Sequence, residues 1–263
     1  MRSYFLWATC LLFLFIQCKS DSTTKDSSIN NEPTPATKEI ISSTLEVKKV
    51  RVKPVINGIG NDYCWKETEW SPINQIWDGN KELTPADFSG RYKLAWSAEH
   101  LYILVEITDD IIYDAHPHGL DNYWNDDGLR IFIDENRSKG NHQYNHNAFA
   151  YHLALDKKVV DLGTDSLPHY YNDHLQSFRT VQSNSSSTWE IAMPLYDDTY
   201  QDNAKNTPLV LTAEKVIGFA IAYIDNDSRP KREHLIGSIP IPEEDKNRAE
   251  IDAGLFGEVR LIE

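Results

Sequence analysis

Apolar residues recur in this chain with a period of two rather than 3.6, and that regularity restricts the fold more than any other feature. Leu101, Ile103, Val105 and Ile107 fall on one face of an extended segment, with Tyr102, Leu104, Glu106 and Thr108 on the other. Leu129, Ile131 and Ile133 alternate with Arg130, Phe132 and Asp134, and Tyr92, Leu94 and Trp96 alternate with Lys93 and Ala95. The same reading predicts strands over Ala148–Leu155, Leu175–Val181, Thr188–Met193, Val216–Ile224 and Gly257–Ile262. Turn-forming clusters such as Asp225-Asn226-Asp227-Ser228-Arg229-Pro230 separate them. No long stretch carries a helical stripe. Short strands without interleaved helices predict an all-β, antiparallel β-sandwich of jelly-roll or immunoglobulin-like type, as a single domain over residues 46–263.

The first 45 residues follow a different logic. Arg2 precedes an apolar run from Tyr4 to Ile16, about 13 residues, which is too short to cross roughly 30 Å of hydrocarbon as a helix. Phe15-Ile16-Gln17-Cys18 then resembles the lipobox of bacterial lipoproteins, in which cleavage before the cysteine leaves its thiol to carry a diacylglycerol. Residues 1–17 are therefore expected to be a lipoprotein signal peptide, with Cys18 the lipidation site. An ordinary secretory signal or an uncleaved anchor are the alternatives. Residues 18–45 are expected to be a flexible tether, since Lys19 to Ser28 contains no apolar residue and cannot offset its ordering entropy by burial. The resulting expectation is an exported bacterial lipoprotein, held by its lipid at the periplasmic face or cell surface.

Of three cysteines, Cys10 lies in the signal and Cys18 at the lipidation site, which leaves Cys64. A single thiol cannot form an intramolecular disulfide, so the domain must be stable through its core. Cys64 lacks a neighbouring histidine or basic cluster and reads as a buried, inert thiol.

Composition narrows the function. The 40 acidic and 26 basic side chains give a net charge of −14, which argues against nucleic-acid binding through phosphate neutralisation. Aromatics make up 11% of the chain, and surface aromatics serve recognition. There is no Gly-x-Ser-x-Gly, phosphate loop or dinucleotide fingerprint. With so many carboxylates, a glycosidase-like pair carries almost no specificity. His116-Pro117-His118 and His142-Gln143-Tyr144-Asn145-His146 have ligand-like spacing, but no His-Glu-x-x-His or Cys/His set accompanies them.

Two runs resemble a known family. Leu94 to Asp110, with Trp96-Ser97-Ala98-Glu99-His100-Leu101-Tyr102 at its centre, is similar to the central hairpin of the family 9 carbohydrate-binding modules. Trp124-Asn125-Asp126-Asp127-Gly128-Leu129-Arg130-Ile131-Phe132-Ile133-Asp134 resembles that family's next signature. Val55-Ile56-Asn57-Gly58, Ile217-Gly218-Phe219, Asp225-Asn226-Asp227 and Leu255 to Leu261 extend the likeness over roughly residues 50–263. The resemblance implies a jelly-roll-like sandwich that binds poly- or oligosaccharide without catalysis, commonly attached to polysaccharide-degrading enzymes and frequently carrying structural Ca²⁺. Carbohydrate catabolism at the envelope is the expected context, and no cofactor is required.

Carried over residue by residue, the resemblance makes Trp124 half of an aromatic clamp on a sugar ring; packing of its own loop is the alternative. No Phe, Tyr or Trp occurs between Tyr223 and Phe256, and Glu250 falls near the slot of the family's second clamp tryptophan. Tyr123, Tyr170, Tyr171 or Trp65 could complete the clamp. Arg130 stands where the family has an acidic residue, Ala150 and His152 where it has Arg and Asn, and Ala222 where it has Gln, while Arg232 persists as a basic residue. Strand alternation puts Arg130, Ala150, His152, Ala154, Ala220 and Ala222 on one outer face, expected to be an open floor of small residues. The candidate sugar contacts are Trp124, Arg130, His152, Arg232 and Asn247. A guanidinium fork matches a carboxylate, so the sugar is expected to be acidic, a uronate or a sulfated saccharide, unless Arg130 pairs internally with Asp127 or Glu106. Asp127, Asp225 and Asp227 are the candidate ligands of a structural Ca²⁺. The alternatives are a structural or adhesion sandwich with a decayed site, a haem-binding sandwich, or an accessory subunit of a glycoside hydrolase.

Overall fold

The computed structural model describes residues 44–79, 83–116, 120–183, 185–227, 230–242 and 245–263. The signal peptide, Cys18, nearly all of the expected tether, His118 and Arg229 lie outside the described residues. The strands are β1 (Leu45–Lys48), β2 (Ser71–Ile73), β3 (Gln75–Asp78), β4 (Phe88–Trp96), β5 (Leu101–Asp109), β6 (Gly128–Asp134) and β7 (Phe149–Ala154). They continue as β8 (Val159–Leu162), β9 (Pro168–Tyr170), β10 (Gln176–Ser183), β11 (Ser186–Met193), β12 (Val216–Asp225), β13 (His234–Gly237) and β14 (Gly257–Ile262). One helical turn, α1 (Tyr63–Lys66), precedes β2.

Two sheets form the sandwich. One runs β1-β14-β12-β6-β7-β8-β9, with β13 also paired to β12 and β3 paired to β13; the other runs β10-β11-β5-β4-β2. All named pairs are antiparallel except β1 with β14. The first half of β12 pairs with β14 through Val216–Phe219 and the second half with β13 through Ala222–Asp225. That switch of partner steers β13 and β3 toward the loop following β12, at the end of the sandwich that also carries the turn before β6.

The predicted alternation is the register of the core. Leu94, Trp96, Ile103, Val105, Trp189 and Ile191 from one sheet pack against Leu129, Ile131, Tyr151, Phe219, Ile221 and Tyr223 from the other. Each such side chain taken out of water stabilises the fold by about 1.5–3 kcal/mol. Met193 is fully buried among them. The strands missed from sequence are short: β1, β2, β3, β8, β9 and β13 have three or four residues, too few for alternation to register.

Both outer faces are capped over part of their area. On the five-stranded sheet, the segment from Val50 to α1 covers Ala95, Tyr102, Leu104 and Ala192 with Trp65, Cys64 and Ile56. Glu190 of β11, buried beneath it, accepts hydrogen bonds from Asn57 N–H (2.9 Å), Gly58 N–H (2.8 Å) and Trp65 Nε1–H (2.9 Å). Burial pushes the Cys64 thiol up to about 11, in keeping with an inert thiol.

The opposite outer face departs from the open floor expected of it. Ala150, Ala220 and Ala222 do lie there, but Phe132, Phe256, Trp77 and Leu235 fill the space above them, together with Ala249 and Ala253 from the segment before β14. Small residues on a sheet face leave room, and here the chain's own aromatics occupy it. Trp77 sits so tightly on β13 that a Cβ at Gly237 would lie 2.1 Å from its ring. Gly237→Ala is expected to destabilise the protein by about 1–3 kcal/mol through overpacking, read as a lower unfolding midpoint in urea with an unchanged m-value.

Candidate functional site

The turn before β6 follows from local sequence. Asn122 takes the left-handed conformation (φ 60°), which asparagine tolerates, and Tyr123–Asn125 form a short 3₁₀ turn. The turn is pinned from below: Asn226 donates its side-chain N–H to Asn125 O (2.6 Å), and Arg232 N–H donates to Asn125 Oδ1 (3.2 Å). Trp124, at its crest, is 44% exposed and meets Tyr123 edge-on, with centroids 5.2 Å apart.

Trp124 opens onto a cavity of about 690 Å³ that it shares with Tyr123, Arg130, Arg232, Asn247 and Glu250; Asp78, Gln143 and Lys231 also line it. Four of the five predicted sugar contacts therefore meet at one pocket. His152 is the exception. It pairs with Arg130 across β6 and β7, but the Tyr123 ring covers it at 5.1 Å, and it is 1% exposed with neither ring nitrogen hydrogen-bonded. Burial, and then the charge of Arg130, holds it neutral, well below the usual imidazole range. The period-two argument put His152 on the correct face but could not see that the turn folds over it. It touches the platform from beneath and lies outside the pocket.

Arg130 is claimed by another residue of the chain. Its Nε–H donates to Glu250 Oε1 at 3.1 Å, a second, shorter bond joins its terminal nitrogen to Oε2, and its guanidinium lies 5.5 Å from the Phe132 ring. Burial works against the Arg130 charge, but Glu250, Tyr123 and the half-buried Asp161 outweigh it and raise its pKa. The anticipated internal partners are engaged elsewhere: Asp127 accepts from the Tyr113 and Asn226 amides, and Glu106 pairs with Arg91. The resemblance put Arg130 and Glu250 where other residue types were expected, and the structure joins the two as one ion pair. Breaking such a buried pair costs about 3–5 kcal/mol, because it strands the remaining charge.

The facing wall is a second network. Arg232 donates to Asp78 Oδ2 (3.3 Å) and Asn247 Oδ1 (2.8 Å), and Lys246 donates to Asp78 Oδ1 (3.0 Å). Burial opposes the Asp78 charge, but Lys246 and Arg232 more than offset it and hold its carboxyl below the usual range. Asp78 escaped the sequence reading because β3 carries no motif. Of the aromatics considered for the clamp, Tyr123 alone lines the pocket. Trp65 is buried under the other sheet's cap, Tyr171 is buried among His146, Phe149 and His174, and Tyr170 flanks a separate small cavity beside His116 and Lys158.

The candidate calcium ligands divide. Asp225, with Asp87 and His234, forms one set of donors lying within 4.8 Å of one another, and Asp227, with Asp87 and Asp110, forms a second. Asp127 joins neither; its two oxygens accept the backbone amides of Tyr113 and Asn226. Burial pushes the carboxyls of Asp109 and Asp127 up, helped by the charge of Asp225 at the first and of Asp109 at the second. Burial also raises Asp225 to about 6, although His234 Nδ1 lies 2.9 Å from its Oδ2. Carboxylates gathered around Asp87 are hard oxygen donors that suit Ca²⁺. The spaced histidines do not converge: His142 contacts Ala249 O and His146 contacts Asp202.

Comparison with known proteins agrees with this architecture. The chain is 26% identical over 212 residues to endo-1,4-beta-xylanase A of Thermotoga neapolitana, a match that takes in 80% of this chain but 17% of that enzyme's length. Its fold is similar to a family 9 carbohydrate-binding module of Caldicellulosiruptor kristjanssonii solved with cellotriose, at a TM-score of 0.58 and 19% identity over 84% of this chain and 94% of that one. The same module with glucose gives the same score. A putative carbohydrate-binding protein of Bacteroides uniformis follows at a TM-score of 0.55 and 11% identity, with 83% of this chain and 98% of that one covered. The family model for the carbohydrate family 9 binding domain-like proteins matches residues 56–263, so the chain belongs to that family.

Proposed function

We propose that the pocket beside Trp124 binds a short stretch of a poly- or oligosaccharide without cleaving it, in support of carbohydrate catabolism at the cell envelope. The observation that carries this reading is an indole 44% exposed at the lip of a polar cavity of about 690 Å³. The C–H face of a pyranose is apolar and suits a flat aromatic, while its hydroxyl rim needs donors and acceptors. Arg232 and Asn247 supply these on one wall, and the rim of the Arg130–Glu250 pair supplies them on the other. His152 acts at one remove, holding Tyr123 and with it the angle of Trp124.

The Arg130–Glu250 pair bears on the kind of sugar. A guanidinium whose charge is already balanced by a carboxylate bound through two of its nitrogens draws a uronate less strongly, so the floor favours a neutral sugar. Lys231 and Arg232 on the rim favour the acidic reading instead. Calorimetric titration with cellotriose, xylotriose and triglucuronate separates the two. The expected order is neutral above acidic, with Trp124→Ala weakening the neutral ligands by about tenfold or more, the equivalent of about 1.4 kcal/mol. Equal affinities in wild type and variant would overturn the site.

Calcium has a structural place in this reading, beside Asp87, Asp225 and Asp227. A hundredfold excess of Ca²⁺ over its Kd is expected to raise Tm by about 5–10 °C relative to EDTA, and Asp87→Asn to abolish the rise. Attachment at Cys18 is expected to move the protein from the membrane to the soluble fraction in Cys18→Ser; unchanged fractionation would refute the lipid anchor.

A further inference from the structure

The outer face of the five-stranded sheet is capped over one half only, and the other half carries a pattern the pocket does not use. Ser89 of β4 stands opposite Thr108 of β5, Thr108 opposite Ser186 of β11, and Ser186 opposite Ser183 of β10. This register aligns hydroxyls in a row across adjacent strands. Ser89 and Ser183 are exposed and Thr108 and Ser186 half-buried, and none of these hydroxyls is engaged by another group among the described residues. Beside the row, Arg91 and Glu106 are cross-strand neighbours joined at 2.8 and 2.5 Å. Ser89, Arg91, Glu106 and Thr108 line a groove of about 330 Å³. Trp70 closes one side, with the Arg91 guanidinium 4.2 Å and the Lys93 ammonium 4.7 Å from its ring. On the other side the cap resumes, where Gly60 abuts Thr188.

We infer that this half-face is a second carbohydrate-binding surface, one that takes an extended, neutral, β-linked polysaccharide lying across the strands. Charge and spacing select that occupant. Arg91 and Glu106, which line the groove, neutralise each other, and the Lys93 ammonium at its side rests on the Trp70 ring, so the surface offers no row of like charges to a polyanion or a polycation, in a chain whose net charge is −14. Neighbouring strands are about 4.8 Å apart, so the hydroxyl row spans about 14 Å. One strand spacing is close to the length of one pyranose in an extended chain, so successive sugars can each meet a serine or threonine hydroxyl. Those hydroxyls both donate and accept, as a sugar hydroxyl rim requires. The groove lacks an exposed aromatic platform, and its affinity must come from several sugars at once. A pocket holds a short sugar; this surface needs a chain.

The inference does not depend on the pocket, and one experiment separates them. Calorimetric titration of the full chain with cellobiose and with cellohexaose is expected to give one site for the disaccharide and two for the hexasaccharide. Trp124→Ala should remove the disaccharide site and leave the hexasaccharide one. Thr108→Leu/Ser186→Leu should do the reverse and weaken the chain-length-dependent site at least tenfold. Ser89→Leu, on a different strand, gives the same loss if the double variant is unstable, and circular dichroism reports folding in each case. A single site for both ligands, abolished by Trp124→Ala and unaffected by the groove variants, would overturn the second surface and leave the pocket standing. A hexasaccharide site lost only in the groove variants would do the opposite. No binding in wild type would sink both.

Discussion

Burial of two apolar sheet faces against each other commits every alternate side chain of the long strands to the outside, and the rest of the molecule is organised around what happens there. A β-sandwich of this size has more outer sheet surface than it can leave bare, because the outward rows of β5, β6 and β12 are themselves partly apolar: Tyr102, Leu104, Phe132, Ala220 and Ala222 point away from the central core. Each outer face is therefore closed over part of its area by a cap, and each cap is tied down by a carboxylate, buried in Glu190 and half-buried in Glu250. Glu190 gathers two backbone amides and an indole N–H under the first cap, while Glu250 locks the second to Arg130. Three hydrogen bonds to one anion, or a two-pronged ion pair, give a loop without regular structure a fixed position.

This arrangement makes the pocket a by-product of the second cap. The segment before β14 crosses the alanine floor, fills it with Phe256, and brings Glu250 and Asn247 to the edge of β6. The turn before β6 closes over His152 from the other side. Trp124 and Arg232 are then left facing each other across the gap between two capping elements. The chemistry of this pocket is this chain's own: the Arg130 guanidinium that lines it is held by the Glu250 carboxylate of the second cap.

The carboxylates around Asp109, Asp127 and Asp225 raise a separate point about electrostatics. Several acids gathered at one buried end of a strongly acidic protein repel one another, and the repulsion is relieved either by protons or by a cation. Tyr223 and His234 supply part of the compensation through hydrogen bonds to Asp109 and Asp225.

Sequence periodicity by itself determined the long strands, which of their faces is apolar and hence the sandwich, because an alternation of period two has only one physical solution when both faces of a strand must be partitioned between core and outside. The sequence also put forward Trp124, Arg130, Arg232 and Asn247 as candidate sugar contacts, and all four line one pocket. Tertiary structure alone decided how those residues pair and which of them a ligand can reach. Glu250 lies far from Arg130 along the chain, the partner of Asp78 comes from a loop after β12, and His152 is covered by a turn whose path no local signal encodes. Alternation says that a side chain leaves the core; it does not say whether solvent or another segment of the same chain is waiting there.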